Sequence, residues 1–215
     1  MPAAAVDRVI ALRQSAVAER IRRHRLIAIL RRIEPRERLL DLASELAADG
    51  VRLLEVTFDA PTAADDLVAV RERLRSDGID AVVGAGTILA APRLEAAVTA
   101  EAAFLVAPTL DRALIQAALE RGIPVIPGAY SPTEIALAWD SGATFVKVFP
   151  VSSLGPAHIR ELRGPLRDVE LIATGGVDAT NATAYLEAGC VAVGVGGALV
   201  KADRAGRQAL ISATS

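Results

Sequence analysis

The sequence predicts an α/β protein, a closed (β/α)8 TIM barrel with an extra N-terminal helix, and three observations carry that reading. Extended apolar runs alternate with amphipathic segments eight times along the chain. The runs begin about 20 to 28 residues apart, room for one strand, one helix and two short loops. The run at 145–150 carries strand-formers on both faces, as a strand of a parallel sheet buried on both sides does. Eight βα units fit a closed barrel best. An open doubly wound sheet is the runner-up, because counting strands does not prove closure. No linker, low-complexity stretch or sequence repeat interrupts the pattern, so residues 1–215 are expected to form one domain, with a helix over 1–25 and eight βα units over 26–200.

The first helix is read from Val6, Val9, Ile10, Val17 and Ile21, which recur at three- and four-residue steps with Arg13 among them. Its basic tail, Arg20 to Arg25, suits a solvated helix end complementing the helix dipole; a phosphate contact is the sharper alternative. The expected strands are LIAIL (26–30), LLEVTF (53–58), AVVGAGT (81–87), FLVAPT (104–109), PVIPGAY (124–130), FVKVFP (145–150), LIATGGV (171–177) and VAVGVGGAL (191–199). Between them, Pro35, Pro61 and Pro92 suit helix starts, Asp111 and Asp178 suit N-caps, and glycines at 50, 122, 142 and 189 suit helix ends.

Composition narrows the function classes. A 215-residue chain that is 52% hydrophobic and 23% charged is long and apolar enough for a sizeable core. A net charge of -2 and only 3% aromatic residues argue against nucleic acid and anionic membranes as partners. No run reaches the ~18 apolar residues of a membrane span, and the opening segment lacks the apolar core of a secretory signal. One cysteine, Cys190, forms no internal disulfide and reads as a small buried residue, so a soluble chain in a reducing cytoplasm is expected.

The chemistry is read from Phe145–Pro150. Val146 and Val148 share one face of the strand; Phe145, Lys147 and Phe149 share the other. Of 24 Lys+Arg residues only Lys147 and Lys201 are lysine. That choice matters inside a barrel, because burial favours a neutral amine, and a neutral amine attacks carbonyls where a guanidinium does not. Alternation puts Leu53, Glu55 and Thr57 on one face of the second strand. If that face is the interior, Glu55 is the proton shuttle for a Schiff base on Lys147. A buried ion pair filling the barrel is the structural alternative, and an expensive one. Other polar strand ends are Arg31, Thr87, Pro108 with Thr109, and Thr174. The glycine turns Thr174-Gly175-Gly176 and Gly194 to Gly197, with Gly196, suit phosphate binding after the last two strands. His24 and His158 lie apart and away from strand ends, so neither a metal nor any other cofactor is expected.

The ordered set AILR (28–31), GVRLLEVT (50–57), VGAGT (83–87), APT (107–109), IPG (126–128), VKVFP (146–150), GPAHIREL (155–162), TGGV (174–177) and VGVGGALVK (193–201) resembles the class I 2-keto-3-deoxy-6-phosphogluconate (KDPG) aldolases and their 6-phosphogalactonate relatives, from about Leu26 to Lys201. The resemblance implies a homotrimeric barrel in which Lys147 forms the Schiff base and Glu55 acts as general acid/base through water. It implies that Arg31 and Thr87 contact the oxo-acid portion, that Pro108 and Phe149 shape the pocket, and that Gly175, Gly176 and Gly196 hold phosphate. The substrate is then a 2-keto-3-deoxy-6-phospho sugar acid, cleaved to pyruvate and glyceraldehyde 3-phosphate.

Two positions depart from the pattern. Asp59 stands where many gluconate-type members carry arginine, placing a negative charge near an anionic substrate. Gly197 stands where the family usually has a phosphate-binding serine. They leave other readings open: an aldolase for 4-hydroxy-2-oxoglutarate or another unphosphorylated 2-oxo acid, a phosphosugar epimerase or isomerase, or a non-catalytic sugar-acid-binding barrel.

Overall fold

The computed structural model describes residues 3–214; Met1, Pro2 and Ser215, the ends of the expected domain, lie outside them. In chain order the strands are β1 (Leu26–Leu30), β2 (Leu53–Thr57), β3 (Val82–Gly86), β4 (Leu105–Val106), β5 (Val125–Ile126), β6 (Gly128–Ala129), β7 (Val146–Val148), β8 (Leu171–Thr174) and β9 (Cys190–Val195). They form one parallel sheet in the order β5-β4-β3-β2-β1-β9-β8-β7-β6. The two ends of that order are one extended segment. Only Pro127 separates β5 from β6, and it has no N–H to give a ladder. On one side β5 pairs with β4; on the other, the Pro127 carbonyl accepts from Lys147 N at 2.9 Å and the Val125 carbonyl from Thr144 N at 2.9 Å. The sheet therefore closes on itself as eight staves, and the expected PVIPGAY strand is the stave drawn in two pieces. Closure excludes the open doubly wound alternative.

The first helix is two helices, α1 (Ala3–Arg13) and α2 (Ala16–His24). Ser15 is the reason: its hydroxyl accepts Ala18 N–H at 3.2 Å and starts a new helix, so the apolar steps do not run on across it. Consequently Val9 and Leu12 are buried while Val6 and Ile10 are exposed. The basic tail of α2 is tied to acids at the amino ends of the strands, Arg20 to Asp80 at 2.8 Å and Arg22 to Glu170 at 2.6 Å, so it faces away from any strand-end ligand.

Outside the sheet run α3 (Arg36–Asp49), α4 (Ala63–Ser76), α5 (Ala91–Thr99), α6 (Arg112–Glu120), α7 (Pro132–Asp140), α8 (Gly155–Arg163), α9 (Ala182–Glu187), α10 (Gly197–Val200) and α11 (Arg204–Thr214). Asp111 caps α6 through Ala113 and Leu114 N–H as expected. Asp178 does not cap a helix: it accepts from Thr180 in a preceding turn, and α9 begins later, after Asn181. The eighth unit also runs past residue 200, since its outer helix is α11.

Two apolar layers result. Outward-facing strand residues such as Val146 and Val148 pack under the helices. The interior layer joins Ile27, Leu53, Phe104, Ile126, Phe145, Ile172 and Ala192 to Ala18 and Ile21 of α2, which plugs the base of the barrel. Ile21 is 0% exposed, and the plug keeps water from the floor beneath the polar interior groups. Replacing Ile21 with alanine should cost about 2–5 kcal/mol of stability, read as a lowered denaturant midpoint. A midpoint within about 0.5 kcal/mol of wild type, the range of ordinary surface changes, would mean the plug is not part of the core.

Candidate active site

Period-two alternation lifts the interior column from the apolar floor to the polar top. Above Leu53 come Glu55 and Thr57; above Phe145 comes Lys147. Glu55 is 2% exposed and Lys147 5% exposed. Glu55 is flanked by Ile29 and Gly84, and Lys147 by Gly128 and Ile172, so each has at least one glycine beside it. Gly86 must be glycine for the same reason: a Cβ there would lie 1.9 Å from Glu55 Oε1. In the ring, β2 and β7 are separated by β1, β9 and β8 one way, and by β3, β4 and the β5/β6 stave the other. The carboxyl and the amine thus face each other across the barrel.

They are not a bonded ion pair. Glu55 Oε1 is shielded from solvent without a hydrogen-bond partner. Lys147 Nζ lies 4.8 Å from the centre of the Phe149 ring. Burial pushes the Lys147 amine below the usual lysine range; Glu55 opposes that shift and the Arg31 charge adds to it. Burial pushes the Glu55 carboxyl up, against the pull of Lys147 and Arg31. Both groups are driven toward neutrality, the state in which an amine attacks a carbonyl and a carboxyl donates a proton. Each feels the Arg31 guanidinium at the end of β1.

A cavity of about 370 Å³ opens over Lys147 at the carboxyl ends of the strands. Of the residues singled out in the sequence, Arg31, Phe149, Thr174, Gly175, Gly176, Gly196 and Gly197 line it. Gly175 and Gly176 have φ of 92° and 84°, a conformation natural to glycine, and a Cβ there would press on Phe149 and Pro150 or on Ser152. Gly197 faces open space, with nothing within 4 Å of where its Cβ would stand. The lining also includes Gly194, part of the glycine turn already singled out, and Ile29 and Asp178, which sequence reasoning missed, although the alternation of LIAIL puts Ile29 inward with Arg31.

Other expected residues stand back from this cavity. The Thr57 hydroxyl is committed to Asp59 Oδ1 at 2.7 Å. Thr87, at φ 57°, touches the site through Arg31, whose Nη2 donates to its hydroxyl at 3.1 Å. A β-branched residue held at positive φ is strained, and such strain gathers at functional sites. Pro108 is half-buried, and its carbonyl lies 2.3 Å from where a Gly128 Cβ would be. The Phe149–Pro150 peptide is cis. Asp59 is not a bare charge beside the ligand: burial pushes its carboxyl up, but Thr57, Arg31 and Arg32 outweigh this and hold it below the usual range.

Among the described residues no group of three His, Cys, Asp or Glu side chains is disposed to hold a metal ion. His158 is half-buried on α8, with Nε2 shielded and unpartnered. Cys190 is buried, and desolvation pushes its thiol up to about 12. No helix among the described residues is long and apolar enough to cross a membrane.

Comparison with known proteins points the same way as the geometry. The family described as KDPG and KHG aldolases matches residues 17–213. The 2-dehydro-3-deoxy-6-phosphogalactonate aldolase of Escherichia coli K12 is 32% identical over 180 residues, covering 83% of this chain and 86% of that protein. The KHG/KDPG aldolase of the same organism is 35% identical over 168 residues, covering 78% of this chain and 77% of that protein. The crystal structure of the Zymomonas mobilis ZM4 2-keto-3-deoxy-6-phosphogluconate aldolase with 3-phosphoglycerate superposes with a TM-score of 0.80 at 29% identity, covering 93% of this chain and 95% of that one. With the closed barrel, the interior lysine and the glycine turns already in place, these matches establish that the chain belongs to the KDPG and KHG aldolase family.

Proposed function

We propose that the protein is a Schiff-base aldolase that reversibly cleaves a 2-keto-3-deoxy-6-phospho sugar acid to pyruvate and glyceraldehyde 3-phosphate. One observation carries this reading: a desolvated amine, Lys147, opens onto the cavity and faces a desolvated carboxyl, Glu55, across the ring. The Lys147 amine adds to the C2 carbonyl, and the neutral Glu55 carboxyl gives up its proton as water leaves, so that a protonated imine stands opposite a Glu55 carboxylate. The C3–C4 bond then breaks, its electron pair moving toward the imine to leave an enamine, while Glu55 takes the C4 hydroxyl proton and glyceraldehyde 3-phosphate departs. Glu55 returns that proton to C3, water hydrolyses the protonated imine to free pyruvate and the neutral amine, and the Glu55 carboxylate takes up the proton released. Arg31 is the other cation lining the cavity and faces the substrate carboxylate, with Thr87 behind it. Phe149 and Pro108 shape the walls, with Thr57 and Thr174 as polar neighbours. The N–H groups of Gly175, Gly176, Gly196 and Gly197 receive the phosphate. No cofactor takes part in these steps. A homotrimer follows from the resemblance, and one domain from the unbroken alternation of strands and helices. A cytoplasmic setting follows from the lone, buried cysteine.

Borohydride reduction in the presence of pyruvate should fix a pyruvyl group on Lys147, located by peptide mass mapping. Lys147→Ala and Lys147→Arg should each lose turnover roughly a thousandfold or more. An adduct on Lys201, or none, would refute the covalent mechanism. Substantial activity in Lys147→Arg would favour an epimerase or isomerase instead.

A second reading concerns the substrate's far end. Gly197 offers no hydroxyl to a phosphate, so the preference for a phosphorylated substrate over an unphosphorylated one such as 4-hydroxy-2-oxoglutarate is weaker than it would be beside a serine. The open space at Gly197 makes the discriminating variant feasible. Gly197→Ser should lower the half-saturating concentration of the phosphorylated substrate roughly tenfold, the worth of one hydrogen bond to an anion. The unphosphorylated diacid should show a smaller change. An equal shift for both substrates would remove the hydroxyl from phosphate recognition.

A further inference from the structure

The Schiff-base scheme leaves unexplained the charge cluster at the carboxyl ends of β1 and β2. The Asp59 side chain is only 12% exposed, and its carboxylate is fully engaged. Oδ1 accepts from the Thr57 hydroxyl at 2.7 Å; Oδ2 accepts from Arg31 Nη1 at 3.1 Å and from Arg32 Nε at 3.1 Å. Arg32 also donates through Nη2 to the Asp59 carbonyl at 3.3 Å, from a backbone held at φ 48°. The far side of the Arg31 fork donates from Nη2 to Thr87 at 3.1 Å. Arg31 is thus 51% exposed as a side chain, yet both arms of its guanidinium are fixed.

A free arginine at such exposure samples many rotamers, and fixing it in advance removes an entropic cost from ligand binding. Five N–H donors on a guanidinium leave three beyond the two bonds to Asp59 and Thr87. Two guanidiniums and one carboxylate leave the cluster with a single net positive charge, matched to one carboxylate. Asp59 itself does not line the cavity over Lys147. It lines a separate hollow of about 400 Å³ with Phe58, Pro61 and Arg93, and meets that cavity only through Arg31.

We propose that Asp59 is a positioning residue that holds Arg31 as the clamp for the carboxylate of a 2-oxo acid, and so sets selectivity for the anion over uncharged ketones. The inference rests on the Schiff-base reading above. In a 2-oxo acid the carboxylate is bonded to the carbon that Lys147 attacks. Arg31 and Lys147 line one cavity, so the guanidinium that Asp59 holds is the cation the carboxylate meets as that bond forms.

The test is borohydride trapping against ligand concentration, with pyruvate and with its uncharged methyl ester, in the wild type, Asp59→Ala, Asp59→Asn, Arg31→Ala and the Arg31→Ala/Asp59→Ala double variant. Asp59→Ala should raise the half-saturating concentration about tenfold more for pyruvate than for the ester. Asp59→Asn keeps an acceptor oxygen and should fall between, with a pyruvate-selective rise of about threefold. On the Arg31→Ala background the further loss of Asp59 should change the pyruvate value less than about twofold, because the partner it positions is gone. Equal penalties for pyruvate and ester, an undiminished Asp59 effect without Arg31, or no shift at all would each overturn the proposal. If Asp59→Ala does not fold, the selectivity of Asp59→Asn decides. A wild type that traps pyruvate alongside Asp59 variants that behave like it would refute this inference alone; a wild type that forms no adduct would refute the Schiff-base reading and this inference with it.

Discussion

Keeping one amine away from water is the constraint on which the rest of the molecule depends. An unshifted lysine, with a pKa of about 10.4, is neutral in well under ~1% of molecules at pH 7. Lys147 escapes that limit because a closed sheet surrounds it, α2 seals the floor below it, and the Glu55 carboxyl opposite is itself desolvated. Burying both groups opposes folding at opposite ends of the pH scale. The Lys147 pKa is lower folded than unfolded, so the unfolded chain binds the extra proton and stability falls as pH drops from about 10.4 through the folded value. The Glu55 pKa is higher folded, so its burial becomes a cost as pH rises from about 4.3 through its folded value. The apolar layers beneath and around them offset both costs.

The upper half of the barrel gives up packing to make room for chemistry. Glu55 fits only because residue 86 has no side chain, and the cavity over Lys147 is bordered by glycines where strand ends would otherwise carry bulk. Thr87 is held at positive φ in the same region, its hydroxyl under Arg31. Below, Phe104 and Phe145 are wholly buried and pack with Ile27, Leu53, Ile126 and Ile172. Stability and function are therefore divided along the barrel axis, apolar and tight at the amino ends of the strands, polar and open at the carboxyl ends. Asp59 belongs to this division: it lies behind the cavity rather than in it.

Much of this was legible in the sequence because it rests on local rules. Period-two alternation grouped Glu55 with Leu53 and Lys147 with Phe145 on single strand faces, leaving open only which face is the interior, and the scarcity of lysine in an arginine-rich chain marked residue 147. Spacing and helix signals gave eight units. What stayed hidden depended on partners far along the chain or on single hydrogen bonds. Ser15 breaks the first helix with one side-chain bond, while the apolar steps on either side suggest continuity. Closure at Pro127 is a three-dimensional fact that no strand count contains. Asp59 read as an unfavourable charge because Arg31 and Arg32 lie some 27 to 28 residues away in sequence. Thr57 alternates inward as expected, but its hydroxyl is taken by a neighbour two residues on.

The chain's two lysines make the central claim directly measurable, since protein labelled with ¹³C at lysine Cε gives only two signals to follow. Titration of the wild type followed by ¹³C NMR, with Lys147→Ala to assign the signals, should show Lys147 losing its proton well below the ordinary lysine value of about 10.4. A Lys147 signal that titrates at the ordinary lysine value would contradict the neutral-amine mechanism at its root.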